Sequence, residues 1–390
     1  MSIEERLSDL RDLIEEAGLD AIAIVPGPNM RFLTEAAFHL SERPVIAFIP
    51  GSGAPQIVVP KLEAMKVDAM PFEARAFSYS DEEGPEKAVK MALLSLDNVI
   101  KGWPKPEWDD DTEDRDGDPS IWLGVEGRRA RFLELDLMAR ATEPPRIFDA
   151  DEIFAELRMA KDDTELAAMR HAVTIAETAI GQVLPMIKPG VTEREIASEL
   201  VMALLRGGSE TPFPFQPAVA TGVSGASPHA SSGERRVEAG DLIFIDWGAT
   251  HQHYFSDITR TYAVAGADVH PDLLRAYEAV RAANEAGRNA VRPGATGEDV
   301  DAATRKVIED AGFGQYFLHR TGHGLGLEIH EEPDMKAGND TILEPGMTFT
   351  VEPGVYLPGL GGIRIEDDMV VTETGGESLT GLERGLVTLG

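Results

Sequence analysis

Two aspartates in apolar surroundings are the first residues that could do chemistry. Asp246 ends the apolar run at 242–245, and Asp257 follows it after a short polar turn. An ionised carboxylate in a buried strand is costly unless a cation or hydrogen bonds stabilise it. A hairpin would bring the two side chains together, where their repulsion requires a metal ion or a shared proton. In a chain with 68 acidic residues, these two aspartates alone do not distinguish a functional site from an ordinary structural pair.

Two glutamates repeat this pattern further along the chain. Glu352 lies in the segment TFTVEPGVY and Glu366 in the segment GIRIEDDMVV, and both segments alternate as strands do. Arg364 precedes Glu366 by two residues, so both side chains would face the same side of a strand. The alternative is an ordinary structural ion pair between them.

The histidines are concentrated in one glycine-rich segment. Three of the nine, His319, His323 and His330, fall within twelve residues. Glycines at alternate positions of this segment let the backbone approach a bound ligand closely. Imidazole binds borderline divalent ions and transfers protons near neutral pH. His229, in the polar segment ASPHASSGE, is a weaker candidate, because such a histidine is usually only a loop residue.

The composition restricts the chemistry that is possible. The chain has no cysteine, which excludes disulfides, thiolate metal sites and cysteine nucleophiles. Oxygen and imidazole ligands favour manganese, cobalt, iron, magnesium or zinc. A net charge of −32 argues against non-specific binding of nucleic acid, which requires a basic surface. Because neither a membrane-length apolar run nor a secretory signal is recognisable, we expect a cytoplasmic protein.

The N-terminal part predicts an α/β domain over residues 1–148, in which short apolar strands alternate with helices. The segment 102–119 is rich in acidic residues, proline and glycine, and predicts a solvated loop. The predicted strands are 21–25, 45–50, 56–60 and 121–127, and the predicted helices are 3–17, 61–68, 85–96 and 128–140.

The C-terminal part, residues 149–390, predicts an α+β domain. The segment 144–154 is the predicted junction, and a strand at 242–249 pairs with a hairpin partner at 257–264. Helical periodicity is clear in four segments, 155–187, 193–208, 273–291 and 297–312.

Taken together, these motifs resemble those of the pita-bread metallopeptidases, the family of Xaa-Pro dipeptidase (prolidase) and Xaa-Pro aminopeptidase. The histidine signature of that family matches the segment from His319 to Glu331. The segments IDWGA, SDITRT, TVEPGVY and GIRIEDD resemble its other ligand motifs, in the same order. The resemblance covers nearly the whole chain and implies a creatinase-like N-terminal domain before a pita-bread catalytic domain. The stretch VSGAS before Pro228 departs from the family pattern.

The resemblance also implies the ligands and the cofactor. Two divalent metal ions, with manganese preferred over cobalt, zinc, iron or magnesium, would be bound by five side chains. Asp257 and Glu366 would bridge the two ions, whereas His323 would bind one of them. The five implied ligands are Asp246, Asp257, His323, Glu352 and Glu366.

Roles for the remaining residues follow from the same resemblance. Glu352 would act as general base, and His330 and His319 would stabilise the tetrahedral oxyanion. His229 and His330 would contact the substrate, His229 would also help to move the proton, and Arg364 or nearby cations would bind the free carboxylate of a dipeptide. The implied substrates are small peptides with proline in second position, and the implied assembly is a homodimer.

Several alternatives stay open at this point. A dipeptidase is preferred, and an Xaa-Pro aminopeptidase acting on longer peptides is the main alternative. A metal-dependent lyase or a creatine-type amidinohydrolase could use the same fold. A non-catalytic binding module is disfavoured because such proteins typically lose ligands. A methionine aminopeptidase is disfavoured by the long N-terminal domain.

Overall fold

The computed structural model describes residues 1–102 and 120–390. These residues form two compact units, Met1–Arg158 and Met159–Gly390. The predicted acidic loop lies, apart from Gly102, outside the described residues. The predicted domain boundary after residue 148 falls earlier than this division, within the last strand of the first unit. Among the described residues, no helix is both long enough and apolar enough to cross a membrane.

The first unit contains a six-stranded mixed sheet in the order β4-β3-β2-β1-β5-β6. Its central strands come from short, fully buried apolar segments, which explains why they pair. β1 pairs parallel with β5 and antiparallel with β2. The strands are β1 (Ala21–Ile24), β2 (Ile46–Pro50), β3 (Gln56–Pro60), β4 (Arg75–Tyr79), β5 (Trp122–Val125) and β6 (Arg146–Asp149).

Helices complete this unit. The first begins with a capping box between Ser2 and Glu5, and it buries Ile3, Leu7, Leu10 and Ile14. The helices are α1 (Ile3–Glu16), α2 (Pro28–Thr34), α3 (Ala64–Asp68), α4 (Glu86–Lys101), α5 (Phe132–Ala139) and α6 (Asp151–Met159). The predicted α/β organisation is confirmed.

The helices of the second unit are α7 (Asp163–Val183), α8 (Glu193–Arg206), α9 (Pro271–Ala290) and α10 (Gly297–Asp310). The prediction of one continuous helix over 155–187 is wrong. Asp162 has extended backbone, and its side chain accepts hydrogen bonds from the first turn of α7. A new helix therefore begins there, because an aspartate N-cap satisfies backbone donors that a continuous helix would use internally.

Two main sheets form the rest of the second unit. They have the orders β19-β11-β8-β7 and β13-β12-β14-β17-β18, and α9 packs on an apolar core beside them. The predicted α+β organisation is confirmed. The strands are β7 (Ala218–Thr221), β8 (Leu242–Trp247), β9 (Thr250–His251), β10 (Tyr254–Phe255), β11 (Ile258–Val264), β12 (Gly322–Gly324), β13 (Glu331–Met335), β14 (Thr348–Val351), β15 (Gly354–Leu357), β16 (Gly361–Arg364), β17 (Asp367–Thr372), β18 (Gly375–Ser378) and β19 (Thr388–Leu389).

Candidate metal centre

Strand pairing brings three acidic residues together. β8 and β11 are antiparallel neighbours, and Asp246 lies opposite Thr259. Asp257 directly precedes β11. A single β-bridge joins Thr259 to Glu366, and the Thr259 hydroxyl donates to Glu366 Oε2 over 2.6 Å. The predicted hairpin therefore does bring the two aspartates together, and it adds Glu366 to them.

The other sheet supplies His323 and Glu352. β12, which contains His323, pairs with β14, and Glu352 follows the end of β14. His323 Nε2 lies 3.3 Å from Glu352 Oε1 and 3.6 Å from Asp257 Oδ2. Asp257, His323 and Glu366 each offer one ligand atom within 4.8 Å of the others. This spacing matches what one metal ion needs.

All the residues predicted for the site line one cavity of about 490 Å³. Apolar side chains form part of its wall. The cavity is lined by Phe215, Pro228, His229, Asp246, Asp257, His319, Arg320, His323, Ile329, His330, Glu352, Arg364 and Glu366.

The acidic residues of this cavity carry raised pKa values. Burial, followed by the charges of Glu366 and Asp246, raises the pKa of Asp257 well above its usual range. Burial and the charge of Glu352 do the same for Glu366. Burial raises the pKa of Glu352 to about 7, and it raises that of Asp246 although Arg364 opposes the shift. These carboxylates therefore repel one another and need positive charge to ionise together.

The buried oxygens fit divalent ions. Oδ1 of Asp246 and Oδ1 of Asp257 are buried, and neither has a hydrogen-bond partner in the described part of the chain. Buried polar atoms of this kind normally have a partner. Carboxylate oxygens and one imidazole are suitable ligands for hard and borderline divalent ions. The side chains present thus fit divalent metal.

Two histidines have their tautomers fixed by neighbouring groups. His323 Nδ1 lies 3.1 Å from the Gly324 carbonyl and donates to it, which leaves Nε2 free to bind a metal. His319 Nδ1 donates to the Arg320 carbonyl over 2.7 Å, and its Nε2 accepts from the Tyr356 hydroxyl over 2.9 Å. Burial lowers the pKa of His319 to about 4, so this ring is neutral. Because both nitrogens of His319 are engaged, the geometry favours His330 for the predicted oxyanion role.

Arg364 is engaged within the protein. Its Nη2 forms an ion pair with Asp246, and its Nη1 donates to the Tyr356 hydroxyl over 2.9 Å. Its Nε donates to the Thr259 hydroxyl over 3.1 Å. Arg364 is only 5 % exposed, so it places a buried positive charge beside the acidic cluster. In this arrangement it does not present a free fork to a substrate carboxylate, the role predicted for it.

Arg320 is a charged residue of the cavity wall that the sequence did not predict. Its guanidinium pairs with Asp334 at 2.7 Å, and its side chain is 33 % exposed. Arg320 lies between His319 and Thr321, inside the histidine-rich segment that was already identified as a candidate site. A single arginine among histidines gives no signal of its own, because only the fold shows that it lines the cavity.

A buried ionic network supports the backbone beside Asp257 and Glu366. Arg260 Nη1 donates to the backbone carbonyls of Thr259 and Glu366, at 2.9 and 2.6 Å. Its Nη2 forms an ion pair with Asp367 at 2.7 Å. Burial alone would raise the pKa of Asp367, but the guanidinium groups of Arg260 and Arg384 lower it. These contacts hold in place the backbone beside Asp257 and Glu366, the two candidate bridging ligands.

Comparison with known proteins agrees with this geometry. Residues 167–373 match the model of metallopeptidase family M24, and residues 6–160 match the creatinase/prolidase N-terminal domain. The chain belongs to metallopeptidase family M24. The predicted resemblance and the predicted class of enzyme are thus confirmed, as is the dependence of the family on divalent metal.

Individual members of family M24 are similar over nearly the full chain. The probable dipeptidase PepE of Mycobacterium tuberculosis is 35 % identical, over 96 % of this chain and 93 % of its own. The structure of the Xaa-Pro dipeptidase from Bacillus anthracis superposes with a TM-score of 0.86 at 31 % identity, over the whole of both chains. The X-Pro aminopeptidase of Thermotoga maritima gives 0.79 at 28 % identity, covering 100 % of this chain and 99 % of the other.

Proposed function

We propose that this protein is a dinuclear metal-dependent dipeptidase that hydrolyses Xaa-Pro dipeptides. The observation that carries the proposal is the cluster of Asp246, Asp257, His323, Glu352 and Glu366 in one cavity, where one buried oxygen of each aspartate has no hydrogen-bond partner among the described residues. Two divalent ions held by these five side chains would supply Lewis acidity and would lower the pKa of a bound water toward about 7. The cavity volume of about 490 Å³ lies in the usual range for small-molecule sites.

Glu352 is the proposed general base. Burial raises its pKa to about 7 in the metal-free cluster, and cations bound beside it would favour its ionised form, which is the form that accepts a proton. His323 Nε2 lies 3.3 Å from its Oε1, so the carboxylate is held at the cluster. His330 lies edge-on to His323, with ring centroids 4.2 Å apart, and it is exposed to the cavity. We propose that His330 donates to the developing oxyanion, and that His319 and Arg364 hold Tyr356 and Asp246 in place.

The choice between dipeptidase and aminopeptidase is tested with two substrates. An Xaa-Pro dipeptide and an Xaa-Pro-Yaa tripeptide are each incubated with the manganese-loaded protein. Cleavage of the dipeptide alone supports the proposal. Cleavage of both favours an Xaa-Pro aminopeptidase, the activity named for the Thermotoga maritima structure. Turnover of neither contradicts a peptidase of this specificity and would favour a lyase on the same fold.

Arg320 is proposed to bind the free carboxylate of the dipeptide, because its side chain is 33 % exposed at the cavity while it pairs with Asp334, whereas Arg364 is buried and engages Asp246, Thr259 and Tyr356. Hydrogen bonds to charged groups contribute about 1.5–3 kcal/mol. Arg320→Met is therefore expected to raise KM for an Xaa-Pro dipeptide by at least about tenfold. Metal content should not change. Steady-state kinetics together with elemental analysis measure both quantities.

Lys336→Met is the matched control for this variant. Lys336 pairs with the same partner, Asp334, at 2.7 Å but does not line the cavity. Its removal should leave KM unchanged. Equal effects of the two substitutions would show that Arg320 acts through Asp334 and not on the substrate. The identity of the metal, a homodimeric assembly and a cytoplasmic location stay predictions.

A further inference from the structure

The loop between β7 and β8 brings Pro228 and His229 to the cavity wall. It contains the VSGAS stretch, which departs from the family pattern. His229 is exposed, and no hydrogen bond to its ring is found in the described part of the chain. The position of this histidine therefore depends on how the backbone of its loop is held.

One buried carboxylate holds the loop on both sides of His229. Glu193, the first residue of α8, is only 1 % exposed. Its Oε1 accepts from Thr221 N at 2.9 Å, where β7 ends, and from the hydroxyl of Ser224. Its Oε2 accepts from Gly233 N at 3.0 Å. The carboxylate thus joins the start of the loop to its end.

The middle of the loop is fixed against β16. Gly225 is so close to this strand that a Cβ added at Gly362 would lie 2.0 Å from the Gly225 carbonyl oxygen. The Pro228 carbonyl accepts from Arg364 Nη1 at 3.2 Å. With its middle held here and its ends held by Glu193, the loop has few ways to shift without losing one of these contacts.

Glu193 is not needed to cap its own helix. Thr192 and Glu195 already form a capping box at the start of α8, with hydrogen bonds of 3.2 and 2.8 Å. A carboxylate near a helix N-terminus gains a little from the helix dipole even when it is exposed. Helix stability therefore does not explain why Glu193 is buried with donors from the loop around it, because burial of a charge is unfavourable without such partners.

We propose that Glu193 is a positioning residue, which holds the 222–232 loop so that His229 faces the substrate. Ser224 of the VSGAS stretch supplies one of its donors, so this stretch influences catalysis through Glu193. The proposal rests on the proposed Xaa-Pro dipeptidase activity and on the role of His229 in it.

Glu193→Gln tests the proposal with little change of shape. The amide nitrogen cannot accept, so either the Gly233 N–H loses its bond to this side chain, or the Thr221 N–H keeps only the Ser224 hydroxyl oxygen, which accepts from it at 3.0 Å. We expect kcat/KM for an Xaa-Pro dipeptide to fall by about tenfold or more, since small displacements of positioned groups cost up to ~10²-fold. Metal content should stay unchanged, because the loop carries no metal ligand. Glu234→Gln is the control, since this neighbouring glutamate is 73 % exposed.

A double-substitution cycle separates positioning from general stability. In a His229→Ala background, Glu193→Gln should cause no further loss of kcat/KM. The same fold-loss in both backgrounds would overturn the proposal. If Glu193→Gln does not fold, Ser224→Ala is used in its place. Ser224→Ala should lower kcat/KM by a smaller factor in the otherwise unchanged protein and should not lower it further in the His229→Ala background.

Amide hydrogen exchange keeps the inference separate from the proposed activity. In Glu193→Gln, amides of the 222–232 loop should exchange faster than in the unchanged protein, whereas those of β11 should not change. Unchanged exchange in the loop would overturn the positioning role even if the dipeptidase activity is present. If the unchanged protein cleaves no Xaa-Pro substrate, the proposed function fails. Faster exchange in the variant would still support the role of Glu193 in holding the 222–232 loop.

Discussion

Asp257→Asn is expected to abolish metal binding and peptidase activity together. The substitution keeps the shape of the side chain but removes a charge that the resemblance assigns to both ions. The loss of kcat/KM should be at least about 10⁴-fold, a modest part of the 10⁶-fold or greater acceleration that enzymes typically reach. Glu366→Gln, which removes the other predicted bridging charge, should have the same result. Elemental analysis and dipeptide kinetics on the same sample measure both effects.

The stability of Asp257→Asn separates loss of metal from loss of fold. Asp257 is buried beside Glu366 and Asp246, and their mutual repulsion raises its pKa. Without metal, the variant should therefore be at least as stable at neutral pH as the unchanged protein. Thermal unfolding with a chelator present measures this difference. Glu373→Gln, an exposed glutamate seven residues after Glu366, is the control and should behave as the unchanged protein. Two bound ions with full turnover in Asp257→Asn would contradict the proposed centre.

Removal of the metal is expected to abolish activity and to destabilise the protein more strongly as the pH rises. A ligand present at 100 times its Kd stabilises the folded state by about 2.7 kcal/mol, and chelation removes this contribution. The pH dependence comes from the raised carboxyl pKa values, because the metal-free cluster retains protons at pH values at which the unfolded chain has released them. The contribution of these raised pKa values to the stability of the metal-free protein is therefore fully present below the unfolded pKa, about 4.3 for glutamate. It is lost as the pH rises through the folded pKa of Glu352, about 7.

Thermal unfolding between pH 5 and pH 8, with and without chelator, measures this effect. The unfolding temperature without metal should fall with rising pH, and the difference from the metal-loaded protein should widen. Glu352→Gln should reduce the slope, because it removes one of the groups that titrate. Adding back manganese, cobalt, zinc, iron or magnesium one at a time identifies the ion that restores turnover. A difference independent of pH would contradict the assignment of these carboxylates as ligands.

The positions of the candidate ligands could be predicted because their local sequence carries the signal. Asp246 interrupts an apolar strand, Glu352 and Glu366 lie in alternating segments, and His323 lies among glycines. Each feature conflicts with what its surroundings favour, and such conflicts mark functional sites. The order of the motifs then supplied the resemblance, which membership of family M24 confirms.

The supporting residues could not be predicted in this way. Tyr356 links Arg364 to His319, but its sequence context is that of any strand tyrosine. Glu193 lies far in sequence from the donors it accepts, and a glutamate at the start of a helix is ordinary. The break after Met159 was missed for a different reason, because the helical periodicity continues across it and only the capping aspartate marks the new start. Contacts between distant segments depend on the tertiary structure, which a local pattern does not contain.

Arg260 couples parts of the chain that are distant in sequence. Its guanidinium donates to the carbonyls of Thr259 and Glu366 and also to those of Leu382 and Glu383. One side chain thereby connects three backbone segments: the two next to the candidate bridging ligands and one near residue 382. These three segments are expected to move together. A substitution that moves any of the three segments would therefore change the spacing between Asp257 and Glu366. Attempts to alter the metal preference of this centre would therefore have to consider Arg260 and its hydrogen-bond partners together with the ligands.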